Sequence, residues 1–210
     1  MASLVRCALL LLALPASTQL VPSPPRVIHI GDSWSEYAAQ SLTTFCAGAT
    51  AVNRGVASST AQEWAIGGAC PAGGSHSCSM AAAFSNIYGT TYTHAVMTVG
   101  GNDFLDTAGC TMTAETIQSR VTSAINALRA AAPAGIKIIL PAYCTPTQAV
   151  GDCRIEHFPA LNAGIQAAAA AAGNDVEFVD AHAACGGGTT TYSPGTYPVS
   201  YTHLTLPTKA

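Results

Sequence analysis

Val27-Ile28-His29-Ile30-Gly31-Asp32-Ser33-Trp34 is a short apolar run that ends at a glycine and passes at once into polar residues. A run of that length bounded by turn formers reads as a β-strand, and residues 36–45 beyond it read as a helix. The alternation recurs along the chain. Apolar runs at 50–53, 95–99, 136–140 and 176–179 are separated by helical stretches at about 61–66, 80–88, 114–132 and 158–172. The longest of these carries the clearest signals: Thr113 as N-cap, Glu115 in the first turn, one stripe of Ile117, Val121, Ala124, Ile125 and Leu128, and Pro133 and Gly135 past its end. Strands alternating with helices, each strand apolar throughout, imply a parallel sheet covered on both faces. In such sheets sites form at the carboxyl ends of strands.

The chain of 210 residues is long enough for one domain with a full core. Hydrophobic residues make up 49% and charged residues 9%, which argues for a packed sheet and against disorder. Residues 1–18 hold an early Arg6, the apolar run Cys7 to Leu14, and then small residues, the pattern of a secretory signal peptide; the run is too short for a transmembrane anchor. A Pro-rich lead-in follows, so the domain is expected at 26–198 of a secreted, extracellular monomer. Without Arg6 and Lys209 the formal charge falls from −3 to −5, which excludes nucleic acid as a partner. Of the 8 cysteines, all but Cys7 remain after such cleavage and are expected to be oxidised, with Cys70–Cys78 and Cys144–Cys153 as local staples and at least one of Cys46, Cys110 and Cys185 unpaired.

The turn after the first strand places Ser33 between a strand end and a helix start. A hydroxyl there is exposed at the rim of the sheet, and helix N-terminal amides, its own included, can stabilise a developing negative charge. A lone serine at such a turn is most often an N-cap. Here Asn53-Arg54-Gly55-Val56 follows the second strand and Gly100-Gly101-Asn102-Asp103 follows the third, at matching strand ends. A glycine amide and an asparagine side chain offer hydrogen-bond donors without charge, and with the serine amide they can form an oxyanion hole.

These three blocks, in this order on successive strand ends, resemble the SGNH or GDSL hydrolase family over about residues 27–180. The resemblance implies a three-layer α/β/α sandwich with a flavodoxin-like parallel five-stranded sheet. It also implies Ser33 as nucleophile, and the Ser33 amide, the Gly55 amide and the Asn102 side chain as oxyanion donors. Trp34 stands where the family usually has leucine. The family's fourth block, an Asp-x-x-His supplying base and orienting carboxylate, is not matched: His203 is preceded at three residues by Ser200.

Two readings of that mismatch compete. One is a Ser33–His203 dyad. The other, which we favour, is that residues 199–210 are not native, because Val199-Ser200-Tyr201-Thr202-His203-Leu204-Thr205-Leu206-Pro207-Thr208 is also the translation of a short-read sequencing adapter, and the true Asp-x-x-His is lost with the native C-terminus. Among the other histidines, His29 lies inside a strand, His76 lacks companions for a metal, His94 opens a strand at the wrong end, and His157 precedes a helix. His182, just past the fifth strand, is the best native alternative base. An exposed Trp64 or Tyr37 could hold a sugar ring, although aromatics at helical positions are more often core.

The expected activity is therefore hydrolysis of carboxylic acyl esters, without metal or organic cofactor, on a small-molecule, polysaccharide or lipid ester, with this chain impaired by loss of its base. The competing expectation is a secreted carbohydrate-binding or structural relative that kept the fold without catalysis.

Overall fold

A computed structural model describes residues 24–35, 48–68, 70, 77–85, 92–144 and 153–180. Its strands are β1 (Arg26–Gly31), β2 (Thr50–Gly55), β3 (His94–Thr98), β4 (Lys137–Pro141) and β5 (Val176–Val179). All pair in parallel, in the order β2-β1-β3-β4-β5. That is the flavodoxin-like order, and its reversal point lies between β1 and β3. The register makes Gly31 level with Gly55 on one side and with Thr98 on the other. Three strand ends thus stand abreast.

The helices are α1 (Ala61–Ile66), α2 (Met80–Ser85), α3 (Gly101–Leu105), α4 (Ala114–Ala131) and α5 (Phe158–Ala172). A capping box at Thr60 and Glu63 starts α1, each side chain satisfying the other's backbone amide. Thr113 caps α4 by accepting from the Thr116 amide, and all five residues of the stripe read from the sequence are buried. Helix α4 packs against both α1 and α5. Under them, Ile28 and Ile30 of β1, Met97 of β3 and Ile138 and Leu140 of β4 meet Ile117, Ile125, Leu128, Leu161 and Ile165 in one core. Each such side chain, fully buried, contributes about 1.5–3 kcal/mol. Among the described residues no helix is long and apolar enough to cross a membrane.

The helix expected at 36–45 lies outside the described residues, as does the end of the one expected at 80–88. The short helix α3 was not anticipated, because two glycines at its start read as a turn.

Cys70 and Cys78 form a disulfide as expected. The expected Cys144–Cys153 pair is corrected: Cys153 bonds Cys110, 43 residues away in sequence. Packing decides this rather than spacing. Phe104 of α3 meets Phe158 of α5 edge-to-face with ring centroids 5.3 Å apart, and this contact brings the turn after α3 beside the start of α5. Cys110 is therefore paired, and Cys144 is itself disulfide-bonded. Cys46 and Cys185 lie outside the described residues.

Candidate active site

Strand β1 ends at Gly31 with φ of 123°, a conformation that side chains resist. A Cβ at this position would sit 1.9 Å from the Thr98 carbonyl oxygen. Only glycine lets the chain turn so close to β3, where the Asp32 amide donates to that same oxygen at 2.9 Å. Residues 33–35 then open a helix, with Ser33 half-buried in its first turn. The Trp34 amide donates to Asp32 Oδ1 at 2.9 Å, so the backbone on both sides of Ser33 is held.

Asp32 is buried at 2% exposure. The Thr98 hydroxyl stands 2.9 Å from its Oδ1 and 2.8 Å from Ser35 Oγ, with one proton to share between them, and the Tyr143 hydroxyl donates to Oδ2. Burial raises the Asp32 carboxyl to about 6, and the hydrogen bonds from Tyr143, Trp34 and Thr98 oppose that rise. Burial and the facing carboxylate push the Tyr143 phenol well above its ordinary value. Trp34 meets Tyr143 edge-on, centroids 5.4 Å apart.

At the neighbouring strand ends, the Gly31 carbonyl accepts from the Val56 amide at 2.7 Å and from Ser59 Oγ at 3.1 Å. Trp64 Nε1 in turn donates to Ser59 Oγ at 2.8 Å. Asn102, in the first turn of α3, donates through Nδ2 to the Ser59 carbonyl at 2.9 Å, and the second hydrogen of that amide points elsewhere. The Gly55 amide donates to Asn53 Oδ1 at 2.8 Å. Asp103 is structural: its carboxylate accepts from the Ala61 amide at 2.6 Å and pairs with Arg120 at 3.0 Å, tying α3 to α1 and α4.

Ser33, Gly55 and Asn102 therefore occupy the same carboxyl edge of three adjacent strands, with Ser33 and Asn102 on either side of the reversal point between β1 and β3. His203, His182, His76 and Tyr37 lie outside the described residues. His29 is buried in β1, where burial lowers its imidazolium to about 4, and His94 sits at the amino end of β3. Trp64 is core at 1% exposure, as aromatics at helical positions most often are, and offers no face to a sugar ring. Among the described residues no group of three or more His, Cys, Asp or Glu could hold a metal ion. A groove of about 400 Å³ begins one residue from Ser59, lined by Thr60, Glu63, Ile66, Asp106 and Arg120; Ser33 is not part of its wall. Ser59 and Tyr143 were missed in the sequence because neither belongs to a recurring pattern; the one available signal was position, since each follows a strand end.

A family model described as GDSL-like lipase/acylhydrolase matches residues 21–206, nearly the whole chain. The chain belongs to that family. The match to the GDSL-like family runs past residue 198 and takes in residues 199–206. Among solved structures, a Streptococcus pneumonia protein provisionally named as a platelet activating factor is similar in fold: TM-score 0.53, 20% identity, covering 79% of this chain and 70% of that one. A Bacteroides fragilis protein provisionally named as an acylhydrolase aligns at TM-score 0.49 and 18% identity, over 78% of this chain and 73% of the other. No curated protein matches the sequence.

Proposed function

We propose that this GDSL-like acylhydrolase is a secreted serine hydrolase of carboxylic acyl esters, with Ser33 as nucleophile. The observation that carries the reading is the placement of Ser33 in the first turn of a helix at the carboxyl end of β1, with the Asn102 side chain across the reversal point. Ser33 Oγ attacks the ester carbonyl and gives its proton to a base. The oxyanion is met by the Ser33 amide and by the second hydrogen of Asn102 Nδ2. The Gly55 amide joins them once Asn53 Oδ1 releases or shares it. The alcohol leaves, and water frees the acid from the acyl-serine.

The base is proposed to be a histidine outside the described residues, His182 or His203. The disulfides support an extracellular location, where such bonds persist.

The test is hydrolysis of a short aryl ester by the protein. Ser33→Ala is expected to abolish turnover while the protein stays folded, and Asn102→Ala to lower kcat by roughly 100- to 1,000-fold. Unchanged turnover in either variant refutes the role given to it. Absence of turnover in the unsubstituted protein favours a non-catalytic relative.

A further inference from the structure

We infer that Tyr143 is a positioning residue that couples the nucleophile turn to the turn bearing Asn102 through a single buried side chain. The inference rests on the roles proposed for Ser33 and Asn102. Tyr143 follows β4, and its backbone is gripped from both sides by one side chain of α5: its amide donates to Asn162 Oδ1 at 2.8 Å, and Asn162 Nδ2 donates to its carbonyl at 2.8 Å. With the backbone fixed, the ring reaches under two catalytic turns at once. Its hydroxyl donates to Asp32 Oδ2, and Asp32 Oδ1 holds the Trp34 amide just beyond Ser33. The same ring lies against Gly101, one residue before Asn102.

The fit at Gly101 is tight. A Cβ there would lie 2.7 Å from Tyr143 Cε1 and 3.1 Å from its hydroxyl oxygen, so a glycine at this point is what admits the ring. A phenol suits the task for a chemical reason: its hydroxyl donates to the carboxylate while its flat ring fits against the glycine, which neither phenylalanine nor a second acid can do. Asp32 and Tyr143 are withdrawn from water, where such a hydrogen bond holds its partners most firmly. The other charges near Asp32 are Asp103 on α3, which disfavours its ionisation, and Arg120 on α4, which pairs with Asp103. A shift of either turn by 1 Å would separate Ser33 from its oxyanion donor, and displacements of that order cost on the order of 100-fold in rate.

The test is Tyr143→Phe, which keeps the ring against Trp34 and Gly101. The variant is expected to lose roughly 10- to 100-fold in kcat with KM nearly unchanged. The acid limb of its pH profile should move upward, because Asp32 loses a hydrogen bond that favours its ionised form. The amide resonances of Trp34 and Gly101 should both shift. A measurement on the unsubstituted 210-residue chain needs no variant: as Asp32 titrates near its raised value of about 6, the Trp34 and Gly101 amides should move together with one midpoint. A Tyr143→Phe enzyme with unaltered kcat and pH profile, or Trp34 and Gly101 amides that do not share a midpoint, overturns the coupling. If the unsubstituted chain titrates as expected yet hydrolyses no ester, the coupling stands and the functional reading fails.

Discussion

His29 gives the most quantitative test of how the central strand is built. It sits in the middle of β1 at 3% exposure, and among the described residues neither ring nitrogen has a hydrogen-bond partner. Burial therefore holds it neutral and pushes its imidazolium from 6.5 to about 4. The folded value lies below the unfolded one, so as pH falls the unfolded chain takes up the proton first. Stability present above 6.5 is lost on the way down to 4. At about 1.36 kcal/mol per unit, the loss reaches about 3 kcal/mol near pH 4. Asp32 acts in the opposite direction: its folded value of about 6 lies above 3.8, so the folded state protonates first and regains about the same amount over an overlapping range. These two contributions nearly cancel between pH 7 and 4, and only a comparison isolates the histidine. His29→Leu keeps the site filled and removes the titration. In urea unfolding, the stability of His29→Leu relative to wild type should rise by about 3 kcal/mol between about pH 7.5 and pH 4. A difference that stays constant to within about 0.5 kcal/mol would show that His29 is solvated or hydrogen-bonded in the folded protein and refute the argument.

Two further outcomes follow from geometry. Gly31→Ala places a methyl against the Thr98 carbonyl in a backbone region hostile to side chains, and should destabilise the protein by roughly 3 kcal/mol or more; an alanine variant within about 1 kcal/mol of wild type in thermal unfolding would show that β1 does not approach β3 as described. Replacing both Cys110 and Cys153 with serine opens a 43-residue loop and should cost about 4 kcal/mol, and non-reducing peptide mapping of the native protein should recover Cys110 linked to Cys153, with a Cys144–Cys153 peptide as the contradicting result.

The five strands were legible because each is a compact apolar run closed by turn residues, and the observed bounds differ from the expected ones by no more than two residues. The placing of Ser33, Gly55 and Asn102 at strand ends was legible for a related reason: a strand end is a local feature, and their blocks announce themselves in a few contiguous residues. What holds them was not legible. The Tyr143–Asp32 bond spans 111 residues and the Asn102–Ser59 bond 43, and no local pattern encodes such pairings. The cysteines show the same limit, since Cys144 is the neighbour of Cys153 in sequence while the docking of α3 on α5 makes Cys110 its neighbour in space. Even the commitment of the Gly55 amide to Asn53, two residues away, depends on a side-chain rotamer that sequence spacing does not specify.

The central claim is that Ser33 is the nucleophile, and covalent capture tests it most directly. The protein is incubated with a fluorophosphonate, followed by intact-mass measurement and peptide mapping. The account predicts one adduct per chain, on the peptide carrying Ser33, and none in Ser33→Ala. An adduct on another serine, or equal labelling of Ser33→Ala, would contradict it.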